Sequence, residues 1–119
     1  MLLHGQRRLL VLVLENKFQA ELVADIHSRL PRSIVLKNDP NYIQGIPDLV
    51  VFNGKHYAIL EVKRKYNAPH QPNQDYYIDY FDKWGVFSAF IFPENKEEIL
   101  DAMERALQPR RKARVSRSK

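Results

Sequence analysis

The chain contains no cysteine, only four glycines and a single tryptophan in 119 residues. Without cysteine it has no disulfide, no thiolate-bound zinc and no iron–sulfur cluster, and a reducing compartment suits it. It has no glycine-rich phosphate loop and no Gly-x-Ser-x-Gly elbow, so two common sources of chemistry are excluded. Its four histidines, His4, His27, His56 and His70, lack metal-ligand spacing. Long apolar runs are missing too. Leu9–Leu14 follows Arg7-Arg8, but it is too short for a signal-peptide core, and Glu15-Asn16-Lys17 offers no cleavage site. Nothing approaches the roughly 20 apolar residues of a membrane span. A cytoplasmic location is expected, the host cytoplasm for a viral chain. No internal repeat is visible.

What is present describes a small basic domain. The hydrophobic fraction is 45%, ordinary for a globular protein, and the length suits one modest core. The formal net charge is +5, which favours a polyanionic partner, nucleic acid above all. The expected division is a folded domain over residues 1–108 and a basic, disordered tail over 109–119. The tail carries six basic residues, Arg110, Arg111 and Lys112 among them, and would serve either as a nucleic-acid arm or as a solubilising end.

The stretch that organises the chain is Gln44–Lys65. Two apolar runs, Leu49–Phe52 and Tyr57–Val62, flank Asn53-Gly54, a strong signal for a two-residue hairpin turn. With the turn there, Val50 faces Tyr57 and Asp48 faces Ile59. The period of two then puts Asp48, Val50 and Phe52 on one face with Tyr57, Ile59, Glu61 and Lys63. Asp48 and Glu61 become diagonal neighbours with β-carbons roughly 7 Å apart, able to share a hard cation. A half-exposed hairpin with solvated charges is the plainer alternative. The apolar company of Val50, Phe52 and Ile59 weighs against it.

Pro47-Asp48 followed across a hairpin by Glu61-Val62-Lys63 resembles the PD-(D/E)XK nuclease signature. The form Gly45-Ile46-Pro47-Asp48-Leu49, with a later glutamine, is similar to the VRR-NUC group and to phage junction-resolving endonucleases. The resemblance implies an α/β fold with a restriction-endonuclease-like αβββαβ core, a central mixed sheet flanked by helices.

The remaining elements read consistently with that order. Asn16–Arg29 is a helix, with Leu14, Phe18, Leu22 and Ile26 recurring every four residues. Leu9–Leu14 is either its opening or a short strand. As a strand, Leu9–Val13 would offer a homodimer edge. Glu15 lies at the margin of the apolar stripe. It is either an acid favoured by the helix N-terminus or a carboxylate aimed at the sheet, and the resemblance implies the latter. Ser33–Lys37 reads as a strand and Asn38–Asn41 as a loop, with Asp39 before Pro40 a turn residue. Asn73–Trp84 reads as a helix with Gln74, Tyr77, Ile78 and Phe81 on its inner face. Gln74 there either caps backbone groups or points at the site, and it occupies the place of the family glutamine. Tyr76, Tyr80 and Trp84 are expected to pack. Val86–Phe92 is expected to be a buried strand parallel to the second hairpin strand. Lys96–Leu107 is the last helix, with Ile99, Met103, Ala106 and Leu107 inward.

Asp48 and Glu61 are hard oxygen ligands, suited to Mg²⁺ or Mn²⁺. The resemblance implies a Mg²⁺-dependent deoxyribonuclease in which Asp48, Glu61, the Val62 carbonyl and Glu15 serve the metal. Lys63 would handle the attacking water or offset charge on the phosphorane, Gln74 completes the catalytic group, and Arg64 and Lys65 would hold DNA phosphate. Structure-selective cutting of junction or branched DNA is expected, with no membrane partner and a homodimer where both strands are cut. The alternatives are a non-catalytic nucleic-acid-binding module and a nuclease subunit of a larger repair or restriction complex.

Overall fold

The computed structural model describes residues 4–108, without the side chains of His4, Arg8, Val11–Val13 and Glu15. Three helices and four strands follow in the order α1 (His4–Arg29), β1 (Ile34–Lys37), β2 (Leu49–Asn53), β3 (His56–Val62), α2 (Gln74–Lys83), β4 (Phe87–Ile91) and α3 (Lys96–Leu107). This is the expected order, αβββαβ and one further helix. The strands form one mixed sheet in the order β1-β2-β3-β4. β1 with β2 and β2 with β3 are antiparallel, and β3 with β4 is parallel. A parallel neighbour needs a crossover, and α2 supplies it.

Alternation along the strands separates the two faces of the sheet. Leu49, Val51, Ala58, Leu60, Val62 and Ile91 point to one side. There they meet Leu22, Ile26 and Leu30 of α1 and Leu100, Met103 and Leu107 of α3 in a single buried cluster. Arg29 ties α1 to α3 through Glu97 at 2.8 Å and Asp101 at 2.5 Å, and Lys96 pairs with Asp25. The opposite face carries Val50, Phe52, Tyr57, Ile59 and Glu61. α2 covers only part of it, anchored where Ser88 Oγ donates to the Ile78 carbonyl at 2.8 Å. The charged side chains therefore lie on the less covered face.

The hairpin differs from expectation by two residues. Its turn is Gly54-Lys55, and Asn53 pairs with His56 inside the ladder. Gly54 has φ +64, while Lys55 is not in the positive-φ region, which is the pattern of a type II′ turn. Asn53 is held in the strand because its Nδ2 donates to the Leu107 carbonyl at 3.0 Å, one of the orphan acceptors at the end of α3. Phe52 opposite Tyr57, with ring centroids 5.9 Å apart, supports the same register. A shift of two keeps every side chain on its face, so the expected grouping survives.

Other expectations need correction. Leu9–Leu14 belongs to α1 and not to a strand, so the proposed strand edge for a dimer does not exist. Extending an existing helix needs no new nucleus, and leucine favours it. The expected apolar stripe is buried only from Leu22 onward, and Leu14 is exposed. β4 is a half-buried edge strand, since nothing pairs with its outer side among the described residues. In α3, Leu100 is buried and Ala106 is exposed. Tyr76, Tyr80 and Trp84 do not pack into the core but form an exposed ladder along α2. No helix among the described residues is long and apolar enough to cross a membrane.

Candidate active site

Asp48 immediately precedes β2, and Glu61 lies near the end of β3. The pairing of Leu49 with Leu60, continued by one residue, sets Asp48 opposite Glu61 and not diagonal to it. Two bonds hold the pair. The Asp48 N–H donates to Glu61 Oε1 at 3.1 Å, and the Val62 N–H donates to Asp48 Oδ2 at 2.9 Å. Strand alternation sends the Val62 side chain into the core on the opposite face. Its peptide is thus the part that reaches the carboxylates.

Lys63 follows β3, and its N–H continues the parallel ladder by donating to the Ile91 carbonyl at 2.8 Å. Its Nζ donates to Gln74 Oε1 at 2.5 Å and to the Pro69 carbonyl at 3.1 Å, and lies 3.8 Å from Glu61 Oε2. Gln74 closes the circuit. Its Nε2 donates to Glu61 Oε2 at 2.6 Å, while its Oε1 also accepts from the Gln71 N–H at 2.8 Å. A glutamine suits this place because its amide offers an acceptor to the ammonium and a donor to the carboxylate. Glu61, Lys63 and Gln74 are 3%, 7% and 8% exposed. Glutamate and lysine are almost never so buried unless paired. Among the described residues, no buried side-chain nitrogen or oxygen lacks a partner.

Burial and crowding set the electrostatics. Burial, then the negative charge of Asp48, pushes the Glu61 carboxyl up to about 8, against the pull of Lys63 and the Asp48 N–H. Burial also raises Asp48, opposed by the Val62 N–H and by the charges of Lys63 and Lys37. Two desolvated carboxylates facing each other, with a single ammonium near Glu61, are short of positive charge. Hard oxygen donors in that state fit a Mg²⁺ or Mn²⁺ ion, and each carboxylate keeps lone pairs beyond its present bonds. Asp48, Glu61 and the Val62 peptide would hold it. Among the described residues, no group of three or more histidine, aspartate or glutamate side chains is placed to hold a metal ion. Glu15 lies on α1, but its side chain is outside the described residues, and so are Arg110, Arg111 and Lys112.

Two loops frame the pair. The 38–47 loop is fastened by the Asn38 N–H donating to the Asp48 carbonyl at 2.8 Å and by Asn38 Nδ2 donating to the Pro47 carbonyl at 2.7 Å. Asp39 Oδ1 accepts from the Asn41 N–H at 2.9 Å, the turn role expected of it. The 64–73 loop is held by His70, which stacks on Phe90 at 4.3 Å and meets Asp75 at 2.8 Å. The loops touch at Gly45, where a β-carbon would stand 2.4 Å from the Pro72 carbonyl. Gly45 has φ +83, and Asn73 beside it has φ 72, the positive value rare for a residue with a side chain. Asn73 leads directly into Gln74.

Asp48, Glu61, Lys63 and Gln74 are therefore brought together. Arg64, half-buried, and exposed Lys65 follow them in the loop. Sequence reasoning missed Lys37, the Pro69 carbonyl, the Gln71 N–H and the Gly45 contact. Gly45 between bulky neighbours was a readable signal. The backbone groups had none. A pocket of about 400 Å³ adjoins the carboxylates on the same face, floored by Val50 and Ile59 and walled by Ile46, Phe81 and Tyr42.

No protein-family model matches the chain. No curated protein matches it either. Among solved structures it is similar to Hjc, a Holliday junction resolvase from the archaeal hyperthermophile Archaeoglobus fulgidus, with a TM-score of 0.45 and 15% sequence identity, covering 65% of this chain and 67% of that one. A likeness of that size decides neither activity nor substrate.

Proposed function

We propose that the chain is a Mg²⁺- or Mn²⁺-dependent deoxyribonuclease of the PD-(D/E)XK type, in the VRR-NUC form, that hydrolyses phosphodiester bonds in junction or branched DNA. The observation that carries this reading is the circuit that links half-buried Asp48 to buried Glu61, Lys63 and Gln74. Burying an acid and an ammonium, with a second acid half-buried beside them, costs stability that apolar residues in the same positions would not. A module that only bound DNA would have no use for that cost. Perturbed carboxyls gathered on one face are what a reacting centre needs.

The bound cation supplies Lewis acidity toward the scissile phosphate and a more acidic water. Asp48 and Glu61 hold it, with Glu15 as a further ligand from α1. The Pro69 carbonyl and Gln74 take two of the three Lys63 N–H groups, which leaves one to orient the attacking water or meet charge growing on the phosphate. Gln74 acts as a positioning residue for both Lys63 and Glu61. Arg64, Lys65, Arg110, Arg111 and Lys112 supply phosphate affinity. The products carry 5′-phosphate and 3′-hydroxyl ends. Cutting both strands at a junction calls for two such centres, hence a homodimer.

The test is cleavage of supercoiled, four-way-branched, flapped and single-stranded DNA with Mg²⁺ and with Mn²⁺. Branched DNA cut by wild type but not by Lys63→Ala supports the proposal. Tight binding with no cleavage of any substrate overturns it in favour of a binding module.

A further inference from the structure

The pocket beside the carboxylates plays no part in the proposed hydrolysis. Val50 and Ile59, its floor, oppose each other on β2 and β3 and share the face of Asp48 and Glu61. Each lies two residues from its acid, about 6.6 Å at strand spacing. That is the span of one extended nucleotide. Phe81 on α2 and Tyr42, 84% exposed on the 38–47 loop, add aromatic walls. The volume, about 400 Å³, lies within the usual range for small-molecule sites.

The lining chemistry narrows the occupant. Among the described residues, no lysine, arginine or histidine lines the pocket, so it is not built for phosphate. Its rim carries the Asp39 carboxylate and Asn38. Asn38 Nδ2 gives one N–H to the Pro47 carbonyl, which leaves its amide oxygen to accept and its second N–H to donate. Apolar and aromatic walls with a carboxylate and an amide at the rim suit a neutral planar ring whose edge carries both donors and acceptors. A nucleobase has that character. A base inside a duplex cannot enter such a pocket without leaving the stack, which costs least where it is already unpaired.

We infer that the Val50–Ile59–Phe81–Tyr42 pocket is a subsite for one unstacked DNA base next to the bond to be cut, making unpaired nucleotides at branch points the preferred substrate. The inference rests on the nuclease reading for the meaning of the neighbouring carboxylates. Its test does not require cleavage.

The full-length protein in EDTA is titrated with a DNA duplex carrying a single bulged 2-aminopurine and with the same duplex fully paired. Wild type should bind the bulged duplex about tenfold more tightly, the value of one stacked base, and should shield the probe from acrylamide. Val50→Phe, which fills the floor, should abolish both effects and leave affinity for the paired duplex unchanged. Tyr42→Ala, at an exposed position that folding does not need, should also reduce the preference, and it carries the test where the larger side chain at Val50 disturbs the sheet. Equal affinity for the two duplexes, or a preference that survives both substitutions, overturns the subsite. Bulge preference without metal-dependent cleavage would overturn the nuclease reading and keep the pocket. Cleavage without bulge preference would do the reverse.

Discussion

Raising the pH should destabilise the metal-free protein chiefly through one side chain, Glu61, with raised Asp48 acting in the same direction. Glu61 is moved from 4.5 up to about 8, first by burial and then by the charge of Asp48. In the unfolded chain it loses its proton near its ordinary value, about 4.3. A carboxyl with a raised folded pKa favours the folded state only while it holds its proton there. Its contribution is therefore complete below the unfolded value and is lost as the pH climbs through about 8. A rise from 4.5 to about 8 sets a ceiling of about 5 kcal/mol, at 1.36 kcal/mol per pH unit. Asp48 and Lys63 share the same protons and charges, so about 2 kcal/mol is expected from Glu61 itself. That corresponds to a fall in Tm of about 8 °C. Urea melts followed by circular dichroism in EDTA, from mildly acidic to alkaline pH, measure it directly. Wild type should lose stability across this window, and Glu61→Gln should lose markedly less, keeping only the share of Asp48. Above pH 8, adding Mn²⁺ should restore wild type and leave Glu61→Gln unchanged. Wild-type stability that is level or rises with pH would refute the reasoning, and so would a Glu61→Gln variant that keeps the full slope.

Lys63→Met should lower cleavage by about 10²- to 10⁴-fold, the range for a proton-handling group, with its melting curve at pH 7 little changed. Gln74→Ala should cost about 10- to 100-fold in activity or metal affinity, because Lys63 and Glu61 both lose a partner, and isothermal titration with Mn²⁺ checks the affinity. Gly45→Ala should destabilise by about 2 kcal/mol and weaken metal binding, since its new β-carbon meets the Pro72 carbonyl in a left-handed conformation. Deleting residues 109–119 should flatten the salt dependence of DNA binding by about 0.9 in log–log slope for each lost phosphate contact. An unchanged slope would remove the tail from the interface.

The acidic pair was legible because side-chain alternation in a strand is strict. Asp48 and Glu61 fall on one face in either of two registers that differ by two residues, so the misplaced turn did no harm to the grouping. It did affect the distance. Opposed and not diagonal, the two carboxylates come close enough for one to accept from the other's backbone N–H. The turn moved because Asn53 found a better partner in the end of α3, a contact 54 residues away that no local signal encodes. Gln74 was placed correctly by helical spacing alone. Its role was not, since a buried amide reads the same whether it caps a loop or joins an ammonium to a carboxylate. The ladder of Tyr76, Tyr80 and Trp84 was misjudged because aromatic residues usually pack, and only the position of α2 on the sheet leaves that side to solvent.

By itself the sequence determined the elements, the faces of the hairpin and the type of ligand on offer, because these follow from local periodicity and from the chemistry of single side chains. Tertiary structure alone decided the close approach of Gly45 to Pro72 and the burial that lifts Glu61. It also set the Pro69 carbonyl and Gln71 N–H beside Lys63 and Gln74, and the pocket between β2, β3 and α2. The Gly45–Pro72 approach, the burial of Glu61 and the pocket join segments far apart in the chain, while the Pro69 and Gln71 contacts are closer in sequence but run through backbone groups, which residue identity does not specify.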